Sequence, residues 1–208
     1  MHIDPFLFTE EAITHDVAAF VKVIKRRQSE LPDLSGQPVH VIRQERKDGN
    51  GIFGVRETSS RAVLTGIPGP AGDIPAQIIH PQGSVRGVYL HIHGVGWVFG
   101  EAADQDMRLV ELADQLGLVT VNIDYRLAPE DPYPAGPDDC EAASVWIVDN
   151  ASKEFHTDVV LIGGESAGAH LSVVKLLRMR DKHNYRGFVA ANLTYGAYDL
   201  TMTPSARN

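Results

Sequence analysis

The chain has 208 residues, 43% of them hydrophobic, a net charge of −8 at pH 7 and one cysteine. This length and apolar content fit one large domain, or one domain with a small appendage. The acidic balance argues against a nucleic-acid-binding face, and a single cysteine excludes an intrachain disulfide framework and fits a reducing compartment. We expect Cys140 to be a small buried apolar residue.

No apolar stretch approaches the ~20 residues of a membrane span. Acidic residues (Asp4, Glu10 and Glu11) come too early for a secretory signal. We therefore expect a cytoplasmic protein without a membrane span.

The N-terminal region predicts one helix followed by a loop. Residues 9–31 have helical apolar spacing, with Thr9 as the expected N-cap. The expected apolar face packs on a domain rather than on a membrane surface, because the helix begins with acidic residues; this face comprises Ile13, Val17, Phe20, Ile24 and Leu31. Residues 35–57 are polar and glycine-rich and predict a loop with a turn at 47–51.

A change of pattern near residue 57 predicts two segments, 1–57 and 58–208. In the second segment, strands alternate with helices. The predicted strands cover 61–67, 74–80, 85–92, 118–123, 159–162 and 188–193, and the predicted helices cover about 101–116, 138–150 and 167–182. This alternation predicts an α/β fold with a mostly parallel sheet and helices on both faces.

The stretch around Ser166 organises this segment. An apolar strand leads into Gly164-Glu165-Ser166-Ala167-Gly168, and a helical pattern follows. This is a G-x-S-x-G nucleophile elbow in its strand–turn–helix context, with small residues beside a strained serine. The alternative is a glycine-rich βα turn with an ordinary serine.

A second glycine-rich stretch, His93-Gly94-Val95-Gly96-Trp97, closes the third strand of the sheet. Backbone N–H groups of Gly94, Val95 and Gly96 can turn toward the serine as an oxyanion hole, and Ala167 is expected to donate another N–H. A phosphate cradle is the weaker alternative, because no Lys-Ser/Thr pair follows the glycines.

Four ordered motifs resemble the hormone-sensitive-lipase family of α/β-hydrolases. They are 93–97 (HGVGW), 124–130 (DYRLAPE), 134–135 (PA) with 139–140 (DC), and 164–168 (GESAG); 195–200 (YGAYDL) is also similar. The resemblance covers about 58–208 and implies an α/β-hydrolase fold. It implies hydrolysis of small carboxylic esters through an acyl-serine, without a metal or organic cofactor, and a helical cap formed partly by residues 1 to about 50. Short- or medium-chain esters are the expected substrates.

Two departures from the family pattern stand out. Val95 replaces the middle glycine of HGGGW; if this position needs a positive φ, valine costs on the order of 1–3 kcal/mol, and we expect altered acyl preference before lost activity. The family places its triad acid and histidine well beyond the serine, and His170, His183 and Asp199 do not fit these roles.

We therefore expect an N-terminal portion of a longer esterase, with the triad acid and histidine outside this sequence and a low activity of this piece alone. The alternatives are a non-catalytic small-molecule binding protein or receptor on the same scaffold, and an inactive truncated fragment. The expected partners are a small-molecule ester and, in a homodimer, a second copy of the chain.

Several residues are expected to support the site rather than react. His93 is expected to stabilise the loop and Glu165 to orient the elbow, while Trp97 and Phe99 either line the acyl pocket or pack the loop. For other polar residues we favour structural roles. Arg126 and Glu130 are expected to form a buried pair rather than a substrate clamp. Asp138 and Asp139 resemble paired carboxylates but are better explained as helix N-terminal charges.

Overall fold

The computed structural model describes residues 4–201, except for the side chain of Phe8. The chain divides into two compact units, residues 1–56 and 57–208. The outer ends of the two expected segments, residues 1–3 and 202–208, lie outside the described part. None of the described helices is both long enough and apolar enough to cross a membrane.

The first unit contains short 3₁₀ turns and two α-helices. The turns cover Pro5–Phe8 and Glu10–Ala12, α1 covers His15–Glu30, and α2 covers Val39–Lys47. The first helix begins later than predicted, because the hydroxyl of Thr14, not that of Thr9, accepts the N–H of Val17 at 3.4 Å. It ends at Glu30, and the next residue, Leu31, is extended because the following Pro32 disfavours the helical conformation.

One expectation for this unit is wrong, and one stays a prediction. Within the unit the apolar face of α1 is uncovered, because Phe20 is 60% exposed and no residue of the helix is buried; its packing on a domain stays a prediction. The segment expected to be a loop contains α2, which begins after Pro38, whose carbonyl accepts the N–H groups of Val41 and Ile42. Nine residues flanked by proline and glycine give too short an apolar repeat to reveal this helix in the sequence.

The second unit is built on a sheet whose described strands follow the order β1-β2-β4-β3-β5-β6. These are β1 (Val63–Gly69), β2 (Gly72–Ile79), β3 (Gly87–Ile92), β4 (Leu118–Ile123), β5 (Val160–Glu165) and β6 (Phe188–Thr194). The pairs β1–β2 and β2–β4 are antiparallel, and the remaining pairs are parallel. The mostly parallel sheet is therefore confirmed, with an antiparallel hairpin at one edge.

Helices cover both faces of this sheet, as predicted. They are α3 (Asp106–Leu116), α4 (Ala135–Phe155, longer than predicted at both ends) and α5 (Ala167–Lys182). Because side chains alternate along β3, Leu90 packs in one apolar cluster with Ile147 of α4 and Leu171 of α5. Its neighbour Tyr89 packs on the other face with Leu109 of α3. Full burial of each aliphatic side chain contributes about 1.5–3 kcal/mol.

The central strands bring two turns of the chain together. Ile92, the last residue of β3, lies opposite Gly164 of the neighbouring parallel strand β5. The carboxyl ends of these strands therefore emerge at the same edge of the sheet. The loop that begins at His93 and the turn at Ser166 are neighbours for this reason.

Candidate active site

Ser166 lies at a sharp turn between β5 and α5. Its φ of 52° and ψ of −116° are rare for a residue with a side chain. The flanking glycines are required by packing: a Cβ at either Gly164 or Gly168 would overlap the carbonyl oxygen of Ile92. The elbow is thus pressed against the end of β3, which explains the glycine spacing of the motif.

The backbone of the serine is held on its other side as well. The N–H of Ser166 donates to the carbonyl of Thr194 in β6 at 2.9 Å, and its own carbonyl accepts the N–H of His170 at 3.1 Å. The hydroxyl is half-buried and has no hydrogen-bond partner among residues 4–201. A fixed backbone with an uncommitted hydroxyl suits a nucleophile.

The loop after β3 carries three consecutive residues with positive φ. The values are 70° at Val95, 68° at Gly96 and 61° at Trp97. The carbonyl of Val95 accepts the N–H of Phe99 at 3.1 Å and closes the turn. Position 95 therefore does need the left-handed conformation, in which a β-branched residue is strained by about 1–3 kcal/mol.

Glu165 connects this loop to the elbow. One of its carboxylate oxygens accepts the N–H of Gly94 at 2.8 Å. A Cβ at Gly94 would lie 2.5 Å from the backbone oxygen of Glu165, so these two segments of the chain approach each other as closely as glycine permits. Gly94 was expected among the oxyanion donors, but its N–H is committed to Glu165. Through this bond, Glu165 holds the loop in place.

Three other N–H groups remain available at the same edge of the sheet. Those of Val95, Gly96 and Ala167 have no acceptor among the described residues. Ala167 is the first residue of α5, where N–H groups lack an intrahelical partner and the helix dipole favours negative charge. Such a set of donors is suited to a developing oxyanion.

His93 anchors the start of the loop. Its ring is buried and stacks on Tyr125, with 4.4 Å between ring centroids, and its Nδ1 lies 3.2 Å from the carbonyl of Gly94. The hydroxyl of Tyr125 donates to the carbonyl of His93 at 3.0 Å. Burial lowers the pKa of His93 to about 4, so the ring is neutral at pH 7. A neutral, buried ring is consistent with the expected stabilising role.

A buried polar pair beside the elbow was not expected from the sequence. His91 Nε2 lies 2.9 Å from the second carboxylate oxygen of Glu165, and His91 Nδ1 lies 3.0 Å from Oδ1 of Asn122. The sequence holds only a weak signal for this pair, namely that residues 91 and 122 are polar within otherwise apolar strands. The two residues are direct neighbours in the β3–β4 register.

The other titratable residues after the serine do not reach its hydroxyl. His170 lies one turn along α5, with its ring edge against Trp97 at 5.3 Å between centroids. His183 lies beyond the end of the same helix and pairs with Glu141 at 2.9 Å. Asp199 is exposed and accepts bonds from the N–H and hydroxyl of Thr201. None of the described histidines is therefore positioned as the general base.

Arg126 holds the segment after β4, but its partner differs from the predicted one. Its guanidinium forms a bidentate pair with Asp139, at 2.8 and 2.9 Å, rather than with Glu130. The same carboxylate accepts the backbone N–H of Arg126 at 2.9 Å. Asp138 lies in the first turn of α4, as expected, and pairs with Arg178 of α5 at 2.8 Å. These charges are structural.

Two predicted side-chain environments can also be placed. Cys140 is fully buried in the core between α4 and the sheet, and burial raises the pKa of its thiol to about 12, so the expected apolar role is confirmed. Trp97 is half-buried and packs against the same core. Among the described residues, no three histidine, cysteine, aspartate or glutamate side chains cluster as metal ligands.

Taken together, the sheet order, the strained serine at a strand–helix turn and the adjacent free N–H groups match the arrangement of an α/β-hydrolase fold. A family profile described as alpha/beta hydrolase fold matches residues 89–208. The match covers more than half of the chain, which therefore belongs to the α/β-hydrolase family, within its hormone-sensitive-lipase-like branch.

Relatives and solved structures agree with this assignment. The chain is 41% identical over 138 residues to the carboxylic ester hydrolase LipN of Mycobacterium tuberculosis (65% of this chain, 37% of that protein). It is 33% identical over 144 residues to an acetyl esterase of Salmonella schwarzengrund (68% and 44%). The chain thus spans less than half the length of these relatives.

Two solved esterases share the fold. A Pyrobaculum calidifontis esterase superposes with a TM-score of 0.71 at 29% identity, covering 86% of this chain and 59% of its own. An ester hydrolase from the metagenome of Lake Arreo superposes with a TM-score of 0.79 at 27% identity, covering 93% and 63%. The similarity extends beyond the matched profile to most of this chain.

Proposed function

We propose that this chain is part of a serine carboxylesterase that hydrolyses short- to medium-chain carboxylic esters. The observation that carries the proposal is the strained Ser166, whose hydroxyl has no partner among the described residues and lies at the same sheet edge as the free N–H groups. The names of the relatives, a carboxylic ester hydrolase and an acetyl esterase, support this reaction class.

In the proposed reaction, the oxygen of Ser166 attacks the ester carbonyl carbon and its proton passes to a general base. The N–H groups of Val95, Gly96 and Ala167 bind the oxyanion of the tetrahedral intermediate. The intermediate collapses to an acyl-serine when the base passes its proton to the leaving alkoxide, which departs as the alcohol. A water molecule that loses a proton to the same base then attacks the acyl-serine, and the acid leaves as the proton returns to the oxygen of Ser166.

The base and its acidic partner belong to the proposal too. Because no described histidine reaches Ser166, we place both of them outside residues 4–201. We also propose that residues 1–57 form part of a cap over the acyl pocket, that the protein works in the cytoplasm, and that it can form a homodimer. The exposed apolar side chains of the first unit, among them Phe20 and Val17, are consistent with a covering role.

The test uses the full-length gene product that contains this chain, with p-nitrophenyl acetate and butyrate as substrates. The Ser166→Ala variant should lose at least about a thousandfold in kcat, because the nucleophile is absent. Ser152→Ala, on the exposed surface of α4, is the matched control and should retain the wild-type rate.

A fluorophosphonate probe separates the esterase from the binding-protein alternative. It should label the wild type and Ser152→Ala but not Ser166→Ala. Equal hydrolysis by the wild type and Ser166→Ala, or a wild type that neither hydrolyses nor reacts with the probe, would reject the proposed function.

A further inference from the structure

A chain of buried polar side chains runs beneath the site from the elbow toward the start of α3. Glu165 is 5% exposed, His91 2% and Asn122 1%. Glu165 and His91 are 2.9 Å apart, and His91 and Asn122 are 3.0 Å apart. The side-chain nitrogen of Asn122 continues the chain by donating to the carbonyl of Ala102. The donors and acceptors of this chain can be assigned one by one.

The orientation of Asn122 is fixed by its backbone partner. The carbonyl of Ala102 can only accept, so the Asn122 atom that faces it must be the amide nitrogen. The amide oxygen of Asn122 then faces Nδ1 of His91. Because an amide oxygen cannot donate, Nδ1 of His91 must carry a hydrogen.

The other ring nitrogen of His91 faces a carboxylate. Glu165 accepts the N–H of Gly94 through its first oxygen, and its second oxygen faces His91 Nε2. Although burial opposes it, the hydrogen bonds from His91 and from the N–H of Gly94 lower the pKa of Glu165, so its carboxyl group is ionised at pH 7. An ionised carboxylate only accepts, so Nε2 of His91 donates too.

We propose that His91 is a doubly protonated imidazolium that forms a buried ion pair with Glu165, and that this pair is a positioning device for the oxyanion loop. The imidazolium fixes the carboxylate, and the carboxylate fixes the N–H of Gly94 at 2.8 Å. The orientation of the next two N–H groups, those of Val95 and Gly96, depends on this anchor. The role in catalysis rests on the proposed esterase function, whereas the ion pair does not.

The protonation state is tested by ¹⁵N NMR of the full-length protein labelled at histidine. The ring signals of His91, assigned by their loss in His91→Gln, should show hydrogen on both nitrogens at pH 7. In Glu165→Gln, which removes the negative charge but keeps the size of the side chain, His91 should carry one ring hydrogen. A wild-type His91 with one ring hydrogen at pH 7 overturns the ion pair.

The positioning role is tested by kinetics on the same variants. Glu165→Gln and His91→Gln should each lower kcat about tenfold to a hundredfold, because a misaimed donor stabilises the transition state less. KM should change by less than about twofold, since neither side chain touches the substrate, whereas a purely structural pair would leave kcat per folded molecule unchanged. Glu154→Gln, at an exposed position of α4, is the charge-matched control.

The two proposals fail in different ways. Wild-type hydrolysis that is lost in Ser166→Ala but unchanged in Glu165→Gln and His91→Gln keeps the esterase and rejects the positioning role. A wild type without hydrolysis and without probe labelling rejects the esterase and the positioning role together. The NMR spectrum of the wild type still decides the ion pair in that case.

Discussion

The two turns of the site hold strained residues by different means. At the elbow, Ser166 is forced into place by backbone packing, because Gly164 and Gly168 lie directly against the end of β3. In the loop after β3, the strained Val95 follows a segment held by polar bonds from Glu165 and Tyr125. Packing tolerates no added atom, whereas polar anchors depend on charge and protonation. Substitutions and pH should therefore affect the two turns differently.

The largest effect is expected from adding one methyl group at the elbow. In Gly164→Ala, the new Cβ would overlap the carbonyl of Ile92, and neither backbone can yield without breaking the sheet. We expect a loss of about 3 kcal/mol or more in the free energy of unfolding, measured by urea denaturation. Gly83→Ala, where the space around the new Cβ is open, should change it by less than about 0.5 kcal/mol. Equal losses in both variants would contradict the packing argument.

Acid should weaken the loop through His93. The pKa of this ring is about 4 in the folded protein, against an ordinary value of 6.5, because the ring is buried. As the pH falls from 6.5 to 4, the unfolded chain gains a proton that the folded chain excludes, so the free energy of unfolding falls by about 2–3 kcal/mol. Below pH 4 this contribution no longer changes.

The measurement compares urea unfolding at pH 7 and pH 4.5 in the wild type, His93→Phe and His156→Asn. His93→Phe should show a smaller loss on acidification than the wild type, because it lacks the excluded proton. His156 lies on the surface and has a φ of 55°, which asparagine tolerates, so this control should lose as much as the wild type. The same loss in all three variants would mean that His93 does not carry the effect.

The smallest effect is expected at Val95. Val95→Gly removes the strain of a β-branched residue at φ 70° but adds flexibility to the unfolded chain, so the net gain in unfolding free energy is about 1 kcal/mol. Val95→Ala keeps a Cβ at this φ and removes only the branch. If side-chain bulk limits the substrate, both variants should raise kcat/KM for bulky esters relative to acetate several-fold. A preference that neither variant changes would remove Val95 from the determinants of substrate size.

Local patterns in the sequence predict much of this architecture. The Gly164–Gly168 motif predicts the elbow because its spacing, strand and helix all lie in one continuous stretch. Strand β4 was predicted at its observed bounds, because Gly117, with a φ of 68°, ends α3 immediately before it. Where the contacts that determine an element are local, the sequence is sufficient to predict that element.

Contacts between distant segments could not be predicted in the same way. The pairing of His91 with Asn122 and Glu165 requires that β3 lie between β4 and β5, and strand order is not a local property. The partner of Arg126 is Asp139 rather than Glu130 for a similar reason, because the fold of the following segment decides which carboxylate lies beside the guanidinium. In the loop after β3, the contact of a distant side chain, Glu165, decides that the N–H of Gly94 is bound while those of Val95 and Gly96 stay free within the described part of the chain.

The bond from the N–H of Ser166 to the carbonyl of Thr194 links the elbow to β6. Because β6 pairs with β5 as far as Thr194, the backbone ladder of the sheet continues directly into the turn that holds the serine. An amide hydrogen held in such a ladder exchanges with solvent when the ladder opens locally. The exchange rate of the Ser166 amide is therefore expected to report how often β6 separates from the elbow.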